Sequence, residues 1–326
     1  MHAIWAIIST FRPDEDFLNS YDSIAAQVER VVVVDDASGA DYVAVLSAIA
    51  DRGAIVERLP QNSGIAAALN RGYEIAVAGG ASRILSFDQD SHIDPGYVRS
   101  VDAALDHAVA RGHRVGLVVP EYFADVRQAH ARLDDGTLLA RNIIQSGMLV
   151  EAAVLEDVGM MRSDFFIDLV DTEFELRVRA SGYRTIAAPG AALAHQLGRQ
   201  YARMLFGRPL SLPGLPAVTT FSTPFRYFYR VRNRIVLNRL HARSAPGQIL
   251  RDTLIDVLHF ANAAVVARPR ATFAAVLRAG VNAGLRRRMG RMPDSLAVRA
   301  ATVSWNAPLV EGGGVLDRAQ GAADEG

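Results

Sequence analysis

The sequence predicts an α/β protein in which helices cover both faces of a mostly parallel central sheet. Segments with strand-like and helix-like periodicity alternate through residues 3–90, which is typical of βαβ units. The strand-like segments are continuously apolar, as expected for strands that are buried on both faces. Polar residues follow each of these strands. Because the carboxyl ends of parallel strands form one sheet edge, we expect these polar residues to form a ligand site.

The N-terminal elements are expected in the order strand, helix, strand, helix. The first strand covers residues 3–9, and a helix with apolar positions at helical spacing covers residues 14–28. The segments that follow are strands at 31–34, 54–59 and 83–87 and helices at 41–50 and 64–78. The polar segments at the four strand ends are Thr10-Phe11-Arg12, Asp35-Asp36, Gln61-Asn62 and Asp88-Gln89-Asp90.

The middle of the chain is less regular, and the C-terminal part is helical. Strands are expected at 116–120, 143–150, 183–188 and 191–195, and helices at 151–158 and 170–180. The second of these helices should end at Gly182 in a left-handed conformation. Further helices are expected at 226–240, 247–266 and 271–285, and the glycine- and alanine-rich tail from residue 311 is expected to be disordered.

The composition excludes several classes of protein. The chain has no cysteine, which excludes disulfides, thiolate metal sites and cysteine nucleophiles. All 35 basic side chains are arginine, so lysine Schiff bases and Walker-type phosphate lysines are also excluded. The first strand is not followed by a glycine-rich turn, which argues against a dinucleotide-binding dehydrogenase. The formal net charge is zero, which argues against a nucleic-acid-binding protein.

Asp88 and Asp90 lie one residue apart directly after an apolar strand. Like charges this close repel each other and resist desolvation, so we expect a positive group between them. The alternative is an acidic turn that ends the strand in water, since short acidic turns are common. The polar residues at three other strand ends on the same edge favour a site.

Six motifs occur in a fixed order along the chain. They are TFRP at 10–13, VDDAS at 34–38, NSGIAAALN at 62–70, FDQDS at 87–91, SG at 146–147 and FIDLVDTE at 166–173, followed by His195 and Gly198. In order and spacing these motifs resemble those of the family-two glycosyltransferases of the GT-A fold. The DQDS form of the acidic pair resembles the rhamnosyltransferase-like branch of that family. The resemblance spans roughly residues 3–240.

The resemblance implies a site for a nucleotide sugar. Thr10, Arg12 and Asn62 would line the base and the ribose. Asp35 or Asp36 would accept a hydrogen bond from the N3–H group of a uracil or thymine ring, since a carboxylate suits an imide donor. Which of the two carboxylates contacts the base stays open.

The diphosphate and a divalent metal complete the implied site. Gly64 would let its backbone approach the nucleotide at a helix N-terminus, where anions are favoured, and Asn70 lies in the same nucleotide-binding motif. Asp88 would face the ribose, and Asp90 would bind Mg²⁺ or Mn²⁺, which prefer carboxylate and phosphate oxygens and would neutralise the departing diphosphate. His195 would be a further ligand or a diphosphate contact, or else a structural histidine.

The resemblance makes Asp171 the general base, because it matches the catalytic carboxylate at the start of the acidic helix of the family. That helix start should lower the pKa of Asp171, which would weaken it as a base. Asp168 would lie behind the catalytic group or contact the acceptor. Arg230 and Asn233, in the segment YFYRVRN at 227–233, would be structural or would lie on the acceptor side.

Two further acids follow Asp171 on the same predicted helix. Glu173 with Arg177 and Glu175 with Arg179 have i,i+4 spacing, and we expect ordinary surface ion pairs.

The predicted activity is metal-dependent, inverting hexosyl transfer, in which L-rhamnose moves from a dTDP donor to a polysaccharide or lipid-linked glycan acceptor. Transfer of galactofuranose or another sugar from a UDP donor is the nearest alternative. A catalytically inactive GT-A module that serves assembly or docking is the alternative from a different class. Residues 1–222 would form the catalytic domain, residues 223–310 a helical region and residues 311–326 a tail.

The charge of the helical region suggests a partner for it. Residues 199–291 contain seventeen arginines against two acids. The helices there would either lie on an anionic membrane face or form a homo-oligomer interface. Residues 1–13 contain no basic leader, and no run reaches the roughly 18 apolar residues that span a bilayer. We therefore expect a cytoplasmic protein that is peripheral on the inner face of the cell membrane.

Overall fold

The computed structural model describes residues 2–124, 126–194, 200–202, 204–205, 208–209 and 218–310. His195, Gly198 and the tail from residue 311 lie outside the described residues.

Strands and helices alternate through the first third of the chain, as the sequence predicts. In chain order the elements are β1 (Ile4–Thr10), α1 (Asp16–Ala25), β2 (Arg30–Asp35), a 3₁₀ turn (Ala40–Tyr42), α2 (Val43–Asp51), β3 (Ile55–Arg58), α3 (Ile65–Ala78), β4 (Arg83–Asp88) and α4 (Tyr97–Ala110).

The middle part contains shorter strands and two helices. Its elements are β5 (Val115–Phe123), β6 (Val126–Arg127), β7 (Ala129–Arg132), β8 (Leu138–Ala140), β9 (Met148–Glu151), α5 (Ala152–Val158), a 3₁₀ turn (Ser163–Phe165), α6 (Val170–Ala180) and β10 (Arg184–Leu193).

Helices dominate the C-terminal part. Its elements are β11 (Gln200–Ala202), β12 (Met204–Leu205), β13 (Arg208–Pro209), β14 (Val218–Thr220), α7 (Arg226–His241), α8 (Pro246–Val266), β15 (Ala267–Arg268), α9 (Arg270–Leu285), α10 (Asp294–Ala301) and β16 (Ser304–Trp305).

The central sheet has the strand order β3-β2-β1-β4-β9-β5-β10-β8-β7, with β6 paired to β5. The pairs β3–β2, β2–β1 and β1–β4 are parallel, so the carboxyl ends of these four strands lie at one edge. The register places Thr10 opposite Asp35 and Ser9 opposite Asp88. This register aligns the ends of β1, β2 and β4, which are three of the four strands that the sequence predicts to end in polar residues.

Helices cover both faces of this sheet. On one face, Ile7 and Val32 pack with buried residues of α3, α5 and α6. On the other face, Ile8 and Val33 pack with buried residues of α1, α2 and α4. The α/β class with a helical C-terminal region is therefore confirmed.

The strand predicted at 143–150 forms only in its second half, as β9. The first half turns because Gly147 has a φ of +81°, and the Gly147 N–H donates to the carbonyl of Ser86 at 2.7 Å. A Cβ at Gly147 would lie 2.2 Å from the Tyr97 hydroxyl, which donates to the Gly147 carbonyl at 2.9 Å. This turn is what directs Gln145 and Ser146 toward the end of β4.

Helix α4 was not predicted, although Val98, Val101, Leu105 and Ala108 repeat at helical spacing and are buried. The runs predicted at 183–188 and 191–195 form one strand, β10, up to Leu193. A register shift between Ala188 and Ala192 explains why the sequence suggests two runs.

The backbones of α7 and α9 approach closely at two glycines of α9. A Cβ at Gly280 would lie 2.7 Å from the Phe228 carbonyl, and one at Gly284 would lie 3.0 Å from the Arg232 carbonyl. Close packing of this pair fixes the position of α7 relative to α9. Among the described helices, none combines the length and the apolar character needed to cross a membrane.

Gly64 packs closely against Phe166, and this packing can be tested by substitution. We expect Gly64→Ala to lower the free energy of unfolding more than Gly39→Ala. Both glycines have positive φ, +90° and +105°, but a Cβ at Gly64 would lie 2.4 Å from the Phe166 carbonyl oxygen, whereas Gly39 has nothing within 4 Å. Backbone strain costs about 1–3 kcal/mol in each variant, and overpacking adds about 1–3 kcal/mol at Gly64. Urea unfolding measures the difference, and equal losses would contradict the packing.

Candidate functional site

A cavity of about 630 Å³ opens at the carboxyl ends of β1, β2 and β4. Thr10, Asp36 and Asp88 line it from the sheet edge. The opposite wall consists of Phe166 and Ile167, the start of α7 and residues 291–297. The C-terminal helices therefore complete the site that the sheet begins.

The ends of β1 and β4 are joined through the side chain of Gln89. The Thr10 hydroxyl donates to Gln89 Oε1 at 2.7 Å, and the Phe11 N–H donates to the same oxygen at 2.8 Å. The Arg12 N–H donates to Ser38 Oγ at 2.6 Å, while the Arg12 side chain is exposed at the cavity. The predicted residues Thr10 and Arg12 both lie in the cavity wall.

The two adjacent acids after β2 have different environments. Asp36 lines the cavity and accepts from the N–H groups of Ser63 at 2.6 Å and Gly64 at 2.8 Å. Burial raises the pKa of Asp36, while these two hydrogen bonds act in the opposite direction. Asp35 is fully buried and accepts from Ser38 and from Arg58 Nε. Asp36, and not Asp35, is therefore the carboxylate placed at the cavity.

Asn62 and Gly64 lie in the cavity wall, and Asn70 does not. Asn62 Oδ1 is buried without a hydrogen-bond partner among the described residues, which is uncommon for a buried polar atom. The close approach at Gly64 is to Phe166, and the anion at this helix N-terminus is the Asp36 carboxylate. Asn70 exchanges hydrogen bonds with the backbone of Met161 at 2.7 and 3.0 Å, which ties α3 to the segment before α6.

Asp88 is the most perturbed carboxylate of the cavity wall. Burial raises its pKa to about 7, and the charges of Asp90 and Asp171 act in the same direction. The charge of Arg226 and a hydrogen bond from Gln145 Nε2 oppose this shift. Asp90 is exposed at the cavity. A cation that binds here would relieve the repulsion within the acidic pair.

Arg226, the first residue of α7, is a cation that faces this acidic group. It pairs with both oxygens of Asp168, with Nη2 at 2.7 Å from Oδ1 and Nε at 3.2 Å from each oxygen. Its charge also interacts with Asp88 and Asp171. The sequence analysis missed Arg226, although it immediately precedes the segment YFYRVRN that drew attention to α7.

The segment between the second 3₁₀ turn and α6 has a strained backbone. Phe166, Asp168 and Leu169 have φ values of +67°, +65° and +61°, which are uncommon for residues other than glycine. The amide of Asn233 holds this segment, since Nδ2 lies 3.0 Å from the Phe165 carbonyl, 2.9 Å from that of Ile167 and 2.8 Å from that of Asp168. Asn233 is fully buried, so its role is to shape the segment that carries Asp168 and Asp171.

Arg230 lies outside the cavity wall. It pairs with Asp256 of α8 at 2.6 Å, and Arg234 pairs with the other oxygen of Asp256 at 2.7 Å. Of the two roles that the sequence left open for Arg230, the structural one accounts for these contacts.

Asp171, the second residue of α6, lies close enough to Asp88 to raise the pKa of that residue, although it is not part of the cavity wall itself. Burial raises the pKa of Asp171 to about 6 against a hydrogen bond from the Thr172 N–H at 2.7 Å, and the charge of Asp168 adds to the increase. The expectation that the helix start lowers this pKa is therefore wrong. Desolvation outweighs the helix terminus.

The two pairs expected on the surface of α6 are buried at their acidic ends, so that expectation is wrong. Glu173 is 2% exposed and Glu175 0% exposed. Arg177 pairs with Glu173 at 3.0 Å and also donates to the Val158 carbonyl at 2.7 Å, while Arg179 pairs with Glu175 at 3.0 Å. These two pairs compensate the buried charges of Glu173 and Glu175 and so hold α6 in place. The apolar positions of this charged helix alone do not predict which of its faces is buried.

The metal expected at Asp90 has a suitable but small set of donors. No group of three or more acidic or histidine side chains that could hold a metal occurs among the described residues, which do not include His195. Asp88 and Asp90 supply carboxylate oxygens at one strand end. Mg²⁺ usually binds one or two carboxylates together with substrate phosphates, so these donors fit a metal that arrives with a nucleotide diphosphate.

Comparisons with known proteins agree with this geometry. Residues 5–124 match the model of glycosyl transferase family 2. The dTDP-rhamnosyl transferase RfbF of Shigella flexneri is 28% identical over 280 residues, which cover 78% of this chain and 86% of that protein.

Two solved structures are similar in fold. The mannosyltransferase PcManGT from Pyrobaculum calidifontis, in complex with GDP-Man and Mn²⁺, is 15% identical with a TM-score of 0.52, over 91% of this chain and 78% of that one. S. aureus TarS is 17% identical with a TM-score of 0.50, over 78% of this chain, and the match spans 43% of the TarS chain. The GT-A fold that the sequence predicts is confirmed.

The hydrogen bonds from the Asn233 amide can be tested by replacing this amide, which donates, with a carboxylate, which only accepts. We expect Asn233→Asp to lower the free energy of unfolding by about 3 kcal/mol or more, because a buried carboxylate would face three carbonyl oxygens. Asn238→Asp on the same helix is the matched control, since Asn238 donates to the hydroxyl of Thr253 at 2.8 Å, and its loss should be about 1 kcal/mol. Urea unfolding measures both variants. Similar losses would show that Asn233 does not hold the strained segment.

Proposed function

We propose that this chain, a glycosyltransferase that resembles family 2 and is rhamnosyltransferase-like, transfers L-rhamnose from a dTDP donor to a hydroxyl group of a polysaccharide or lipid-linked glycan. The observation that carries the proposal is the convergence of Asp88, Asp90 and Asp171 beside one cavity at the carboxyl edge of the sheet. The similarity to a dTDP-rhamnosyl transferase over most of both chains supports the choice of donor.

The sheet side of the cavity would bind the nucleotide. Thr10, Arg12 and Asn62 lie together there and would contact the base and the ribose. Asp36 would accept from the N3–H of thymine with the lone pairs that Ser63 and Gly64 leave unused. Gln89 would keep the ends of β1 and β4 at the separation that the nucleotide needs.

Asp90, with Asp88 behind it, would hold Mg²⁺ or Mn²⁺ together with the donor diphosphate. The metal, when bound, neutralises the charge of the departing diphosphate. Without a cation, burial and the repulsion from Asp90 and Asp171 favour protonation of Asp88, whose pKa is about 7. The repulsion between Asp88 and Asp90 supports a site that binds a metal together with the donor diphosphate.

Asp171 would take the proton from the acceptor hydroxyl as that hydroxyl attacks the anomeric carbon on the face opposite the diphosphate. A carboxylate with a pKa of about 6 is ionised at neutral pH and is a stronger base than an exposed one. Arg226 orients Asp168 and adds positive charge beside Asp171. Phe166 and Tyr229, which stack with ring centres 4.9 Å apart, would form an aromatic wall for the acceptor.

The role of Asp171 can be tested by Asp171→Asn, which keeps the size of the side chain but cannot accept the proton. We expect kcat to fall by about 10²–10⁴-fold with little change in donor binding. In the unchanged protein kcat/KM should rise with pH through about 6, because the base must be deprotonated in the free enzyme, and the variant should lose this dependence. Asp157→Asn, at an exposed acid, is the control. A variant that retains most of its activity would exclude Asp171 as the base.

The proposed function is tested by measuring diphosphate release from a panel of nucleotide sugars, with and without Mn²⁺ and acceptor glycans. We expect the highest turnover with dTDP-L-rhamnose and its loss in EDTA or in Asp90→Ala. Higher turnover with UDP-galactofuranose would identify the alternative donor. No turnover with any sugar, together with dTDP binding that raises the melting temperature, would favour the inactive docking module.

A further inference from the structure

Helix α8 carries an apolar stripe that faces away from the protein. Leu250, Leu254, Val257, Leu258 and Val265 are 73%, 58%, 55%, 62% and 51% exposed. Their spacing places them on one side of a helix. A soluble helix usually turns such a stripe inward, so its exposure indicates a partner surface.

The orientation of α8 is fixed by polar contacts on its opposite side. Asp256 is buried between Arg230 and Arg234 of α7, and Asn142 Nδ2 lies 3.5 Å from the buried Asp252. Rotating α8 to bury its stripe would break the two ion pairs of Asp256 and leave buried charges uncompensated, which is strongly unfavourable. The outward stripe is therefore a stable feature of the fold.

The chain segment that contains this stripe is rich in exposed arginine. The exposed arginines between residues 243 and 288 are Arg243, Arg251, Arg268, Arg270, Arg278, Arg286, Arg287 and Arg288. The only acids in that range, Asp252 and Asp256, are 7% and 1% exposed. The exposed surface of residues 243–288 therefore carries arginine charge without an exposed carboxylate to balance it.

We propose that the α8 stripe lies in the headgroup region of an anionic lipid bilayer, with the surrounding arginines contacting lipid phosphates. An apolar helix face flanked by arginines is the pattern of helices that lie in the membrane interface. A second copy of this chain is a less suitable partner, because it would bring two arginine-rich surfaces together. The inference rests on the surface of α8 and not on the proposed donor, and it would bring the enzyme to acceptors that are linked to lipid.

The experiment is cosedimentation of the full chain with vesicles of phosphatidylcholine mixed with phosphatidylglycerol, compared with vesicles of phosphatidylcholine alone. We expect binding to the anionic vesicles only, and weaker binding as salt rises. Leu254→Ser with Leu258→Ser should lower the partition coefficient at least about tenfold, because two exposed leucines lose their burial in lipid. Val109→Ser with Val126→Ser, at exposed valines outside this surface, should leave it unchanged.

The charge contribution is tested separately. Arg251→Gln with Arg278→Gln should lower binding about tenfold or more, since each arginine near an anionic surface contributes about fivefold. Arg99→Gln with Arg111→Gln, at exposed arginines on α4 and directly after it, is the matched control. Turnover with a water-soluble acceptor should be unchanged in all four double variants, which separates this inference from the proposed function.

Three results would overturn the inference. They are absence of binding to anionic vesicles at low salt, binding that the leucine variant leaves unchanged, and equal binding to vesicles without phosphatidylglycerol. A dimer that the leucine variant dissociates, in sedimentation velocity and without vesicle binding, would assign the stripe to a second copy of the chain.

Discussion

The concentration of four carboxylates beside one cavity is the constraint on which the rest of the site depends. Asp88 and Asp90 end a strand, and Asp168 and Asp171 precede and begin a helix, so the fold itself brings their charges together. Burial and mutual repulsion raise the pKa of Asp88 to about 7 and that of Asp171 to about 6. Arg226 opposes this repulsion from the start of α7. A chain without Arg226 would hold more of these groups protonated at neutral pH.

The C-terminal helices are therefore part of the cavity and of the proposed site. Helix α7 supplies Arg226, which pairs with Asp168, and Asn233, which holds the carbonyls of a segment with three positive φ values. That segment passes so close to Gly64 that no side chain fits there. The proposed nucleotide side and the proposed acceptor side of the cavity are thus in direct contact through Phe166. On the proposed function, a donor that displaces Gly64 or Asn62 would also move the segment that carries Asp171.

The sequence predicted the elements with strong periodicity and the edge at which the site forms. Apolar runs such as residues 31–34 and the acids that follow β2 and β4 were sufficient, because a parallel sheet has only one carboxyl edge. Asp35 and Asp36 could not be told apart, since only the tertiary structure directs one into the cavity and the other to Arg58. Because Asp35 and Asp36 are adjacent in the sequence, their positions alone do not show which of the two carboxylates lies at the cavity.

Other features depend on contacts between residues that are distant in the sequence. The pKa of Asp171 reflects burial by the folded chain, which outweighs the local effect of the helix start. The charged face of α6 is buried because Arg177 reaches carbonyls near residue 158 and His241 of α7 lies 3.5 Å from Glu173. Arg226 gave no signal by itself, since one arginine among seventeen in an arginine-rich region does not stand out.

The most direct measurement of the central claim compares the pH dependence of kcat/KM in Arg226→Gln and Arg230→Gln. The two arginines lie one turn apart on α7, but Arg226 faces the acidic cavity and Arg230 pairs with Asp256 of α8. If Arg226 keeps the catalytic carboxylates ionised, its removal moves the acid limb of the profile to higher pH, and Arg230→Gln leaves the limb in place. An acid limb that stays unchanged or moves to lower pH in Arg226→Gln would contradict the account.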